Sequence, residues 1–203
     1  MAKPTWLTVN PSSGSGNGTI NNTATPHTGR VARTGTVTVT ASGVAEPETY
    51  KVTQEPKAEF ASFNNGAEMS APKGGGALTV MGKSNSAKLT FSWVGDGKDV
   101  TIPANYQANG SSTANGGIIE DDPGATAEFA FSLSLSLPEN ETIDEINRTL
   151  LVKAEGGQTA QIIIKQAAGD AMLRLNVSEI TLSQEGTPAV GVTVTSNTTW
   201  TVS

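Results

Sequence analysis

The sequence predicts an all-β chain of antiparallel β-sandwiches, and three observations carry that expectation. Apolar residues recur at every second position, as in Thr36-Val37-Thr38-Val39-Thr40 and Phe129-Ala130-Phe131-Ser132-Leu133-Ser134-Leu135-Ser136-Leu137, which is the period of a strand with one buried face. Between such runs stand clusters that break regular structure, among them Pro11-Ser12-Ser13-Gly14-Ser15-Gly16-Asn17-Gly18, Gly74-Gly75-Gly76 and Asp121-Asp122-Pro123-Gly124; these are turn and loop signals. The composition agrees: 22 Gly and 10 Pro in 203 residues, only 16% charged.

From the N terminus, Trp6-Leu7-Thr8-Val9 reads as a strand ended by the Pro11 to Gly18 loop, and Thr36 to Thr40 as the first strand of a hairpin that closes at Val52-Thr53-Gln54. Gly74 to Gly76 separates this region from the apolar alternation of Ala77 to Val80. The Asp121 to Gly124 turn precedes the long Phe129 to Leu137 strand. In Pro138 to Arg148, Ile143 and Ile146 sit three apart behind acidic residues, which predicts a short helical turn or a structured loop. Ile162-Ile163-Ile164 and Val190-Gly191-Val192-Thr193-Val194 complete the strands. Many short strands, apolar on one face and Thr or Ser on the other, describe a sandwich of the immunoglobulin type. The length has room for about two such domains.

Several function classes are excluded at this stage. No apolar run reaches the roughly 18 residues that cross a bilayer as a helix, and Met1 to Thr5 lacks the basic and apolar segments of a secretory signal, so neither a membrane nor an export route is expected. The absence of Cys removes thiol chemistry, disulfides and cysteine zinc sites. A net charge of −6 argues against a nucleic-acid partner, because phosphate binding needs a basic face.

The chain also repeats itself. Arg33-Thr34-Gly35-Thr36-Val37, leading to Gln54, matches Arg148-Thr149-Leu150-Leu151-Val152, leading to Gln166; each unit ends in a hairpin closing on Gln. Gly76-Ala77-Leu78-Thr79-Val80, leading to Ser84-Asn85, parallels Gly186-Thr187-Pro188-Ala189-Val190, leading to Ser196-Asn197 and Trp200. Only the middle of the chain carries both a beginning and an ending.

Ser196-Asn197-Thr198-Thr199-Trp200-Thr201-Val202-Ser203 and Trp6-Leu7-Thr8-Val9-Asn10-Pro11-Ser12-Ser13-Gly14-Ser15-Gly16-Asn17-Gly18 resemble consecutive stretches of BACON modules, immunoglobulin-like domains frequent in gut Bacteroidetes. The family order, first the Ser-Asn strand and Trp, then the loop, then the Arg-Thr hairpin and its Gln, is rotated here. The resemblance therefore implies tandem immunoglobulin-like (BACON-type) sandwiches with one sandwich split: residues 1–57 hold its later strands, 172–203 its first strands, and 58–171 a complete domain. Trp93 and the expanded 95–127 region depart from the pattern.

A half-sandwich leaves strand edges unpaired and one face bare. Trp6, Val9, Ile20, Val37 and Val39 would face the missing half, and each contributes about 1.5 to 3 kcal/mol only when covered. The expected cover is Leu173 to Ser203. The ends of a sandwich with an odd number of strands emerge at opposite poles, roughly 25 Å apart, whereas the Ala167 to Ala171 link spans at most about 17 Å. Head-to-tail exchange with a second copy is therefore favoured over closure within one chain, with an incomplete third module as the alternative. The seam residues on this reading are Trp6, Leu7, Val9, Leu175, Val192, Val194, Trp200 and Val202.

Chemistry is thinly supplied. His27 is the one imidazole and has no local nucleophile or acid, so an exposed loop His is expected. Glu120-Asp121-Asp122 lacks the alternating spacing of a calcium loop and reads as a solvated turn. Glu139, Glu141, Asp144 and Glu145 cluster in one segment rather than facing each other across a cleft. No catalytic residue, cofactor or metal is expected. For sugar binding, which has been proposed for the BACON family, Tyr106 is the exposed aromatic candidate, flanked by Asn105 and Asn109, whereas Trp6 and Trp200 read as core.

The function expected is a non-enzymatic structural protein assembled from copies of itself by strand exchange. By resemblance to BACON-like domains on virion proteins of gut Bacteroidetes phages, this is a capsid decoration, auxiliary or fibre-associated protein, meeting other virion proteins and located in the virion. The alternatives are a carbohydrate- or mucin-binding module at a bacterial or phage surface, and an accessory domain of a longer glycosidase.

Overall fold

The computed structural model describes residues 3–95, 99–186 and 188–203, and among these the chain is all-β with no α-helix. Thr187, part of the repeated Gly-led opening, lies outside the described residues. The N-terminal segment forms two separate antiparallel pairs. Strand β1 (Leu7–Asn10) pairs with β2 (Asn21–Ala24), and β3 (Arg33–Val39) with β4 (Glu48–Gln54).

The middle segment is a complete two-layer sandwich. Its strands are β5 (Ala61–Phe63), β6 (Glu68–Ala71), β7 (Gly76–Ser84), β8 (Leu89–Val94), β9 (Asn105–Ala108), β10 (Ser111–Ala114), β11 (Phe129–Leu137), β12 (Ile146–Ala154) and β13 (Thr159–Gln166). One sheet has the order β10-β9-β11-β7-β5 and the other β6-β13-β12-β8. The period-two pattern dictates which side chains meet between them. In β11 the inward set is Phe129, Phe131, Leu133, Leu135 and Leu137, all buried, and it packs on Leu150, Val152, Ile162 and Ile164 from the opposite sheet. Phe131 anchors the centre, edge-on to Phe63 at 6.0 Å and to Phe91 at 5.5 Å.

The C-terminal segment contributes one short hairpin, β14 (Leu173–Leu175) with β15 (Val194–Ser196). Residues 138–145 hold no helical turn, and Ile146 opens strand β12 instead. Asn140 explains the difference. Its buried side chain accepts from the Thr142 amide at 3.0 Å and hydroxyl at 2.7 Å, and donates to the carbonyls of Asp144 and Ala167. This Asn-centred turn offers the backbone partners that a helix would otherwise have to supply.

The two terminal segments sit at opposite ends of the middle sandwich. The N-terminal segment docks beside the start of β11, where the Glu128 amide donates to the Thr28 hydroxyl at 3.0 Å. The C-terminal segment docks beyond its finish, where Asn197 donates to the Glu141 carbonyl at 2.8 Å. Nine residues of extended chain separate these points, about 27 Å at the rise of a strand.

Candidate functional site

The two Arg–Gln hairpins found in the sequence have the same side-chain chemistry in space. In the middle domain the Arg148 Nη1 donates to Gln166 Oε1 at 2.7 Å, and Gln166 Nε2 donates to the Pro138 carbonyl at 2.7 Å. Asp99 covers the guanidinium from outside, accepting from Nε at 3.0 Å. That hydrogen bond holds the Asp99 carboxyl below its ordinary range, with partial burial opposing it. In the N-terminal segment Arg33 Nε donates to Gln54 Oε1 at 2.9 Å, and Gln54 Nε2 to the Thr25 carbonyl at 2.9 Å. Arg33 lies over the Trp6 ring at 4.7 Å. The difference is cover: Arg148 is 1% exposed, whereas Arg33 remains half-buried.

The beginning of the module is repeated just as closely. In the middle domain Ala61, Ser62 and Phe63 stand opposite Ser84, Lys83 and Gly82; in the C-terminal hairpin Leu173, Arg174 and Leu175 stand opposite Ser196, Thr195 and Val194. Ser84 Oγ donates to the Phe60 carbonyl at 2.6 Å, and Ser196 Oγ to the Met172 carbonyl at 2.8 Å. Asn85 Oδ1 accepts from the Phe60 amide at 2.9 Å, and Asn197 Oδ1 from the Met172 amide at 2.8 Å. The two amide groups also reach back into the preceding module: Asn85 Nδ2 to the Thr28 carbonyl at 3.2 Å, Asn197 Nδ2 to that of Glu141 at 2.8 Å. The Ser–Asn corner is thus both the start of a sandwich and the tie to the one before it. It sets the spacing between the repeats by its own position, two residues away from an alignment on Gly76 and Gly186.

What differs between the copies is again cover. Ala61 and Phe63 are 9% and 8% exposed, while their counterparts Leu173 and Leu175 are 60% and 58% exposed. Leu89 and Phe91, the first inward residues after the corner, are 0% and 3% exposed; the apolar alternates that follow the second corner, Trp200 and Val202, one position nearer to it, are 51% and 86% exposed. Of the remaining seam residues, Val192 is exposed and Val194 half-buried. At the other end Leu7 is buried while Trp6 and Val9 are half-buried, and Val9 and Val37 line an open cavity of about 220 Å³ with Lys3, Ser12 and Thr38. The structure therefore holds the eight seam residues in two groups, one per end, without joining them inside the chain. Trp200 is not a core residue within this chain: it lies beyond the end of β15 and is half exposed.

Other candidates resolve differently from the sequence expectation. Tyr106 is a core residue, 2% exposed and edge-on to Phe91 at 5.0 Å. Burial pushes its phenol up to about 12, and the hydroxyl passes near the Leu89 backbone without a partner at bonding geometry. The expectation of an exposed sugar platform fails because β9 turns Tyr106 inward, in register with Ala108; Asn105 and Asn109 stay exposed on the same hairpin. His27 is half-buried rather than free in solvent, with Nε2 placed 2.7 Å from the Val31 carbonyl, to which it donates. Asp122 serves the N-terminal tie instead of a solvated turn. Arg30 Nη1 donates to it at 2.6 Å and a second Arg30 nitrogen closes a fork on the other oxygen. Among the described residues no group of acidic or His side chains is arranged to hold a metal. Sequence reasoning missed the Arg30–Asp122 pair; its signal was the glycines around it, since a Cβ at Gly29 would collide with the Ala125 and Thr126 backbone and one at Gly124 with that of Asn85.

Solved structures with a similar outline include surface layer protein SbsC, domains 4-9, at 13% identity and a TM-score of 0.37, covering 82% of this chain and 24% of that one. Zebrafish RET cadherin-like domains 1 to 4 match at 9% identity and a TM-score of 0.31, covering 76% of this chain and 45% of that one. The chain thus spans under half the length of either. No curated protein matches it. Residues 1–55, the segment that carries Trp6 and the Arg33 to Gln54 hairpin, match the family model described as "BACON: Putative binding domain, N-terminal".

Proposed function

We propose that this chain is a non-enzymatic structural protein whose C-terminal segment completes the N-terminal half-sandwich of a second copy. The observation that carries this is the duplicated corner and hairpin, covered in the middle domain and bare at the C terminus with the same register and hydrogen bonds. Nine apolar side chains between Leu173 and Val202 are exposed. At half the usual value per side chain they withhold on the order of 10 kcal/mol, comparable to the cost of bringing two chains together. Exchange is then net favourable because the acceptor half gains too, through Ile20 and Val39. The contact is heterologous, so copies form a closed ring or an open array.

A self-propagating array suits a particle surface, and the setting we propose is a phage virion, as a decoration, auxiliary or fibre-associated protein touching other virion proteins; the resemblance to BACON-like virion domains supports this. The expected result is concentration-dependent association in light scattering. Removing 172–203 should leave monomers whose first 57 residues are cleaved by protease while the middle sandwich survives, and added 172–203 peptide should restore protection. Monomers at all concentrations, with unchanged protection after truncation, defeat the proposal.

A second reading, adhesion to carbohydrate or mucin, draws on the description of the family as a binding domain and on the half-exposed Trp200 ring. Glycan-array binding lost in Trp200→Ala, by a chain that stays monomeric, would favour it over assembly.

A further inference from the structure

The reading of strand exchange leaves open where on the acceptor the donated residues lie; the internal repeat places the strand, and the apolar alternation of residues 200–203 sets its register. In the middle domain β8 runs antiparallel along β12, with Leu89 opposite Ala154, Thr90 opposite Lys153, Phe91 opposite Val152 and Ser92 opposite Leu151. Strand β3 is the counterpart of β12: Arg33 and Arg148 open the same alternation and each bonds the Gln that closes its hairpin. Strand β12 has partners on both edges, whereas among the described residues β3 pairs only with β4. The counterpart of β8 after the corner is the alternation Trp200-Thr201-Val202-Ser203, whose apolar residues stand one position nearer to Asn197 than Leu89 and Phe91 stand to Asn85, so the apolar face and not the residue count aligns the two.

We infer that residues 200–203 of one copy form an antiparallel strand on the free edge of β3 in a second copy, with Trp200 opposite Val39, Thr201 opposite Thr38, Val202 opposite Val37 and Ser203 opposite Thr36. A second observation agrees. The cavity lined by Val9, Val37 and Thr38 lies along β3 and reaches its inner face at Val37, and this register delivers the Val202 side chain beside Val37. A slip of one residue would send Thr201 there and Trp200 and Val202 to solvent. Val39, exposed in the single chain, then lies under Trp200, an aromatic on β-branched pair of the kind that stabilises neighbouring strands.

The inference rests on the strand-exchange reading, and the test separates the two. The chain has no Cys, so introduced thiols report without background. Thr38→Cys protein is mixed with Thr201→Cys protein and oxidised; both positions are exposed and lie on the outer face by alternation. Directly opposite residues stand within disulfide reach, whereas pairs offset by two residues do not without backbone movement. The expected result is a disulfide-linked heterodimer forming at least about tenfold faster than with Thr36→Cys or Thr40→Cys in place of Thr38→Cys. Faster cross-linking through either offset pair overturns the register while leaving exchange intact. Absence of any cross-link in a mixture that light scattering finds monomeric overturns both.

Discussion

Replacing Arg148 by Met removes the guanidinium and keeps an apolar stem of similar reach, so the loss isolates the polar network. Three consequences follow from the geometry. A charged donor to Gln166 at 2.7 Å is lost inside the fold, and such bonds contribute about 1.5 to 3 kcal/mol. Gln166 Oε1 is left without that partner in a fully buried side chain, adding a desolvation penalty. The Asp99 pairing contributes little, because Asp99 is 46% exposed and its ion pair is screened. Together these give about 2 to 4 kcal/mol. For a sandwich of this size that lowers the melting temperature by about 8 to 16 °C. The control is Arg33→Met, the same chemistry in a half-exposed setting, which should cost under about 1 kcal/mol in the monomer. Calorimetry on both variants at low concentration is the assay. Equal shifts for the two substitutions would refute the argument that cover, not the Arg–Gln motif itself, sets the energetics.

Four further outcomes are expected. Asn85→Ala leaves the Phe60 amide and the Thr28 carbonyl without their buried partner and should cost about 2 to 3 kcal/mol by denaturant titration, whereas Asn197→Ala costs less until the chain assembles. Gly124→Ala drives a methyl into the Asn85 backbone and should loosen the N-terminal tie, read as faster amide exchange at Arg30 and Val31, which donate to Gly124 and Ala125. Tyr106→Phe deletes a buried oxygen that has no partner, so stability should be unchanged or raised by up to about 1 kcal/mol. Asp99, lowered by Arg148, and Glu128, lowered by Lys83 and Lys57, both have folded values below their unfolded ones. Each contributes stability that is present above about pH 4 and lost as pH falls further; the acid leg should be shallower in Arg148→Met.

Period two made the strands legible because a sandwich writes its buried face directly into the sequence: β11 alternates inward Phe or Leu with outward Ala or Ser without a break. The repeats were legible for a related reason, since Arg33 and Arg148, and likewise Asn85 and Asn197, make the same hydrogen bonds. The orientation of Tyr106 was not legible. Its strand is only four residues long with Asn and Gln as neighbours, and so short an alternation does not say which face is inside. Of the two forms expected for the 138–145 region, a helical turn or a structured loop, the loop is found: Ile143 and Ile146 stand at helical spacing, but the buried Asn140 takes up the backbone groups a helix would need. The Arg30–Asp122 tie joins residues 92 positions apart; Gly29 and Gly124 mark a close approach on each side, but neither names its partner.

The Ser–Asn corner occurs at both ends of the middle sandwich with matching bonds to the preceding module. A polymer grown through that junction would repeat one screw operation, and the carbonyls gathered around that side-chain amide would help to set its pitch and handedness. Softening that amide at one end would alter how the filament coils rather than whether its beads fold.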